Sequence, residues 1–165
     1  MERIGIFYGS TTGNTERAAQ RIQKELGEEN SILYNIADST PKDLSAYDVL
    51  ILGTSTWGYG DLQDDWLMFD IDAIDFTGKT VALFGMGDQE SYSDTFVDGM
   101  GILCKKVMAG GGKVVGSVSS KTYTNTDSEA LVDDMFVGLP LDDDNQSDLT
   151  DERIAGWVKQ LRNLM

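Results

Sequence analysis

Five short apolar runs rich in β-branched and aromatic residues punctuate the chain: Ile4 to Tyr8, Ile32 to Ile36, Val49 to Leu52, Val81 to Phe84 and Val114 to Val118. Several are continuous rather than alternating, the pattern of parallel strands covered on both faces. Between them the spacing turns helical. Ala18, Ile22 and Leu26 recur every four residues and are followed by Gly27, a natural helix stop. Trp66 to Ile74 and Phe96 to Met108 supply two more apolar helical faces, the second closed by Gly110-Gly111-Gly112. A last helix is predicted with Thr150 as its cap and Leu149 and Ile154 in the hydrophobic-staple positions. Its core face reads Ile154, Trp157, Val158, Leu161.

Strands alternating with helices predict an α/β fold, an open, doubly wound five-stranded parallel sheet with helices on both faces and right-handed crossovers. The polar segment from about Ser119 to Phe136 interrupts the last strand, which is expected to resume at Phe136-Val137-Gly138-Leu139. No internal repeat or linker divides the chain, so residues 1–165 are expected to form a single domain. In this architecture ligands sit beyond the carboxyl ends of the strands, at the topological switch point. That rule selects the loops after Tyr8, Leu52 and Phe84.

Composition narrows the function classes. The 165 residues carry 28 Asp and Glu against 13 Lys and Arg, a formal net charge of −15, with no histidine and one cysteine. Such a surface repels nucleic acid and anionic membranes and steers association with basic patches on proteins. Without histidine, Ser-His-Asp and Cys-His chemistry is excluded, and no metal site is expected. Cys104 cannot form an internal disulfide, and it reads as a small core residue. No apolar run reaches the ~20 residues of a membrane-spanning helix. Met1-Glu2-Arg3-Ile4-Gly5 runs into strand-like sequence without a signal-peptide pattern, so a cytoplasmic location is expected.

The first selected loop, Gly9-Ser10-Thr11-Thr12-Gly13-Asn14-Thr15, holds hydroxyls, an amide and flexible glycines between a strand and a helix. Backbone N–H groups and the helix N-terminus there make an anion site suited to a phosphate. The same residues would also serve as a hydroxyl-rich helix cap. No Lys or Arg lies in the loop, so neutral donors would hold the anion. Three residues separate Gly9 from Gly13, and Asn14 stands where a Walker lysine would be; nor is the dinucleotide pattern G-x-G-x-x-G present. Nucleoside triphosphates and NAD are disfavoured. The second loop, Thr54 to Asp61, presents Trp57 among Ser55, Thr56, Gly58, Tyr59 and Gly60. The third, Gly85 to Tyr92, adds a second aromatic. A phosphate site with two aromatics at one rim describes a flat phosphorylated heteroaromatic ligand, as FMN is.

These three loops, in order and correctly spaced, resemble the flavin-binding loops of flavodoxins. The likeness runs from Ile4 to the C-terminus, including Phe136 to Leu139 and Asp143 to Thr150, and the insertion resembles that of the long-chain branch. It implies a flavodoxin-like sheet of order 2-1-3-4-5 and a phosphate loop of Ser10, Thr11, Thr12, Gly13, Asn14 and Thr15. Trp57 and Tyr92 would stack on the flavin. Met86, Gly87 and Asp88 would line its edge, Thr95 and Phe96 would touch it, and Asp144 would approach the ribityl chain. In the family the backbone after the tryptophan reorients on reduction, and Gly58 would make that easy. The resemblance implies a monomeric, low-potential one-electron carrier, not an enzyme, shuttling FMN between semiquinone and hydroquinone. Its partners would be basic-faced proteins such as flavodoxin or ferredoxin reductases and low-potential acceptor enzymes. Asp61, Asp64, Asp65, Asp88, Glu90, Asp94 and Asp98 follow the ring loops, and with the stacked aromatics they are expected to lower the second potential by a few hundred millivolts. The alternatives are a flavodoxin-like FMN quinone reductase and, more remotely, a receiver-type signalling domain. Met68, Met100 and Met108 read as core. The run Asp142-Asp143-Asp144 lacks calcium-loop spacing and reads as a solvated loop near the ribityl chain.

Overall fold

The computed structural model describes residues 3–57 and 59–165. Four parallel strands build the centre: β1 (Ile4–Tyr8), β2 (Ser31–Asn35), β3 (Val49–Trp57) and β5 (Thr80–Met86). The short β4 (Asp61–Leu62) folds back antiparallel on the end of β3. The fifth sheet position is shared by β6 (Lys113–Val115) and β10 (Leu139–Leu141), both parallel to β5, so the path reads β10-β5-β3-β1-β2. This is the expected order, with the last strand split.

Continuous apolar strands follow from helices on both faces. Ile4 and Ile6 of β1, Ile51 of β3, and Ala82 and Phe84 of β5 share one cluster with Ala18 and Ile22 of α1 (Asn14–Leu26) and with Ile154, Trp157 and Leu161 of α5 (Thr150–Arg162). Phe7, Leu50, Leu52, Val81 and Leu83 point the other way. They meet Trp66 of α3 (Asp64–Met68) and Met100, Leu103 and Val107 of α4 (Asp98–Ala109). The remaining helix, α2 (Pro41–Ser45), buries only Leu44. No helix of the described residues is long and apolar enough to cross a membrane.

The split strand departs from the expected register. β6 pairs with Thr80–Ala82 and β10 with Phe84–Met86, so the sheet resumes at Leu139 rather than Phe136. Gly138 explains the re-entry point: a Cβ there would lie 2.1 Å from the Leu83 carbonyl oxygen, so only glycine passes. Phe136 belongs instead to a small antiparallel sheet of β7 (Val118–Ser119), β8 (Leu131–Val132) and β9 (Met135–Phe136), in the order β7-β9-β8. Its ring packs edge-on against Tyr123 and Phe96, which anchors the insertion to the main core.

Three local expectations change. The apolar stretch from Trp66 breaks after Met68, because Phe69 is extended and turns its ring edge-on to Trp66; a short 3-10 turn at Ile71–Ala73 follows. Met68 and Met108 are exposed, and only Met100 of the three methionines lies in the core. Thr150 is not a side-chain cap: a 3-10 turn at Ser147–Leu149 leads directly into α5, and the Thr150 hydroxyl donates to Asp143 Oδ1 at 2.5 Å. Cys104 is buried as expected, and burial pushes its thiol up from the ordinary range.

Val132 pairs with Met135 across a two-residue turn in which Asp133 and Asp134 have φ of 51° and 64°. Two left-handed residues match the hairpin twist, but glycine adopts that conformation without the Cβ penalty. Asp134→Gly is expected to stabilise the protein by about 0.5–1 kcal/mol in urea unfolding. A loss of stability would refute this reading of the turn.

Candidate functional site

The loop between β1 and α1 is built to hold an anion. The Gly13 N–H donates to Ser10 Oγ at 3.0 Å, and Gln63, buried beneath the loop, donates through Nε2 to Thr11 Oγ1 at 3.2 Å. Both hydroxyls thus accept from the protein and keep their own protons to donate. Among the described residues, the N–H groups of Thr12, Asn14 and Thr15 donate to no protein acceptor. They stand at the positive end of a 13-residue helix. Free donors at a helix N-terminus favour a phosphate.

The carboxyl ends of β1, β3, β5 and β10 converge on one cleft beside this loop. Thr12, Asn14 and Thr15 form its first wall, and Ser55, Thr56 and Trp57 its second. Met86, Gly87 and Asp88 continue it from β5, followed by Tyr92, Thr95 and Phe96. Asp144 closes the far side. Ser10, Thr11, Gly13, Tyr59 and Gly60 lie outside the lining, and Gly58, with its backbone reorientation, lies outside the described residues.

The lining side chains differ in what they have free. Trp57 and Tyr92 leave 40% and 54% of their surface exposed at the mouth, where two planar faces are available to a flat ligand. Ser55, on the cleft wall, has its Oγ buried without a hydrogen-bond partner, a polar atom with its bonds unmade. Thr56 Oγ1 is occupied by the Gly99 N–H at 2.9 Å, which ties β3 to the first turn of α4. Phe96 is fully buried against Tyr123 and Phe136, so it forms floor rather than wall.

Beneath the far side lies a polar network that the sequence did not reveal. Asp142 is fully buried, not part of a solvated loop. Its carboxylate accepts from the Gln89 N–H at 3.1 Å and Gln89 Nε2 at 2.8 Å, and from the N–H groups of Asp144 and Asn145 at 3.1 and 3.0 Å. Asn145 Nδ2 adds a further donor at 2.9 Å. The other end of Gln89 accepts from the Thr124 N–H at 2.7 Å, which joins the insertion to the same network.

Acidic groups around the cleft respond in opposite directions. Burial, and then the charges of Asp88, Asp142 and Asp143, hold the Asp144 carboxyl above the ordinary range. Burial pulls Asp88 the same way, but hydrogen bonds from Ser91, Asn145 and the Glu90 N–H outweigh it and leave Asp88 below that range. Asp98, buried under Gly60, is raised by burial although the Glu129 N–H donates to it at 2.7 Å. Tyr8 donates to Glu16 Oε2 at 2.9 Å; burial and that carboxylate push its phenol up to about 12.

Two lining residues were not among those expected at the site. Asp143 belongs to the acidic run expected near the ribityl chain, of which only Asp144 was singled out. Val97 has φ 49°, a strained conformation for a β-branched side chain, found where strain collects near ligand sites.

The flavodoxin family model matches residues 6–157 of this chain. The chain belongs to the flavodoxin family. A flavodoxin of Trichodesmium erythraeum is 49% identical over 166 residues, covering 98% of this chain and 97% of that one. Flavodoxin 1 of Escherichia coli K12 is 48% identical over 164 residues, covering 98% and 93%. Among solved structures, a Fusobacterium nucleatum flavodoxin bound to flavin mononucleotide superposes with a TM-score of 0.94 at 32% identity, covering 100% of this chain and 99% of that one. In this flavodoxin the donor-rich loop, the two half-exposed aromatics and the acids therefore occupy the sheet end where the fold carries its ligand.

Proposed function

We propose that this chain is a long-chain flavodoxin, one FMN-binding domain spanning residues 1–165, that carries electrons singly between protein partners. The observation that carries this reading is the pairing of unpartnered donors at Thr12, Asn14 and Thr15 with the exposed faces of Trp57 and Tyr92 on one cleft. FMN fits that donor set: a dianionic phosphate for the loop and a flat, polar-edged ring for the aromatics. When bound, FMN supplies the one-electron redox chemistry. The protein binds the phosphate through Ser10 to Thr15 and stacks Trp57 and Tyr92 on the ring. Ser55, Met86, Gly87 and Asp88 meet the ring edge, and Asp144 faces the ribityl side. Tyr59, exposed over 97% of its surface, and Gly60 act on the rim through the second loop.

The relatives' shared name favours a carrier over a quinone reductase. A net charge of −15 suits a monomer in the cytoplasm that docks basic-faced reductases and low-potential acceptors.

Purified protein is expected to be yellow and, once stripped, to rebind FMN stoichiometrically with quenching of flavin fluorescence. Trp57→Ala and Tyr92→Ala should each weaken FMN by about 1–3 kcal/mol, the worth of one stacked aromatic face. A stripped protein that refuses FMN would sink the proposal. So would NADH-dependent quinone turnover by the protein alone.

A further inference from the structure

The first turn of α1 contains a charge arrangement that the loop sequence does not disclose. Arg17 stands four residues after Gly13 and three after Asn14, so both lie on its side of the helix. Its guanidinium folds back toward the loop, and Nη2 donates to Asn14 Oδ1. Nη1 lies 3.0 Å from where a Cβ on Gly13 would be, so the guanidinium sits close over that residue, whose φ of 94° favours glycine. The neighbouring charge is turned elsewhere: the Glu16 carboxylate accepts the Tyr8 phenol proton at 2.9 Å.

An asparagine at an anion site can present either its oxygen or its NH2. A guanidinium only donates, so it takes the oxygen and leaves the two amide protons. Asn14 lines the cleft, so those protons are what it has to offer there. The cation is thus brought to a loop whose own residues carry none, while the carboxylate next to it in sequence, Glu16, accepts from a phenol.

Resting on the FMN reading above, we infer that Arg17 is the positioning residue of the phosphate loop. It sets the Asn14 amide donor-first and adds the positive charge by which this chain prefers a phosphorylated flavin to its unphosphorylated form.

The test titrates the stripped protein with FMN, riboflavin and inorganic phosphate at low salt and at 0.5 M salt. Arg17→Met keeps the length of the stem and removes the donors. It is expected to weaken FMN and inorganic phosphate roughly 3- to 10-fold at low salt, with riboflavin unchanged within about twofold. The deficit should shrink at high salt, because an exposed cation is screened. Arg17→Lys, which keeps the charge without the fork, should recover part of the loss. Equal losses for FMN and riboflavin, no loss for either, or a deficit indifferent to salt would overturn the inference. Wild-type protein that binds neither flavin would instead overturn the FMN reading and this inference with it.

Discussion

Replacing Asp142 with alanine is expected to lower stability by about 3–5 kcal/mol, the scale seen when one member of a buried charged network is removed. The carboxylate is 0% exposed, and its oxygens accept from the backbone of Gln89, Asp144 and Asn145 and from the side chains of Gln89 and Asn145. Alanine would leave the buried Gln89 N–H and the N–H groups of Asp144 and Asn145 without this acceptor, and each costs on the order of 1 kcal/mol unless the loops move. For a chain of this size that is a fall in Tm of about 10 °C. Asp142→Asn is expected to fall between: its oxygen can still serve Asp144 and Asn145, but its NH2 would face the donors of Gln89. Because the loops tied together are those bearing Asp88 and Asp144, FMN affinity should fall in both variants. Urea unfolding of the stripped protein isolates the structural part, and a loss below ~1 kcal/mol for the alanine variant would contradict the role assigned to this residue.

Asp142 also marks where the sequence stops being legible. The strands could be read because burial on both faces leaves long apolar runs, and that signature does not depend on what lies beside them. The three loops could be read because glycine, hydroxyls and aromatics at strand ends are unusual enough to imply a ligand. Asp142, Asp143 and Asp144 look identical in sequence, yet they are buried, half-buried and exposed respectively. Which one turns inward depends on Gln89, 53 residues away. Arg17 hides for a similar reason. It lies outside the loop in sequence, and only the helical return brings it back to Asn14. Phe69 and Val97 show a third limit: tertiary packing held one out of an apolar helical stretch and put the other into a left-handed conformation that no propensity scale assigns to valine. The break in the last strand was visible as polarity. Its re-entry point was set by the close approach of Gly138 to Leu83, which a pattern of apolar residues cannot report.

The acids at the cleft mouth lead to the other large effect, on the more negative of the two one-electron potentials. Asp61, opposite Trp57 in the β3–β4 pairing, together with Glu90, Asp94 and Asp144, is exposed at or beside the ring loops, and of the four only Glu90 reaches the Asp142 network by its side chain, accepting from Thr124 Oγ1 at 2.9 Å. Each unit charge at ~10 Å opposes added negative charge by about 1–2 kcal/mol at an effective dielectric of ~20, and physiological salt reduces that severalfold. Since ~1.4 kcal/mol corresponds to ~59 mV for one electron, converting all four to amides should raise that potential by on the order of 100 mV at moderate salt. The shift should grow as salt is lowered, which separates a field effect from a change in stacking. Asp144 adds a pH signature. Its carboxyl lies above the ordinary range because it is partly desolvated at the cleft and then because of its acidic neighbours, so it takes up a proton earlier than an ordinary aspartate as the solution is acidified. Neutralising it removes one charge from the field, so the wild-type potential should rise as pH falls through that raised range, and Asp144→Asn should lack that part of the rise. Spectroelectrochemical titrations across pH and salt measure both quantities. Equal potentials in the fourfold variant and the wild type would show that the acids serve only solvation, and the case for a low-potential donor would then rest on the aromatic stack alone.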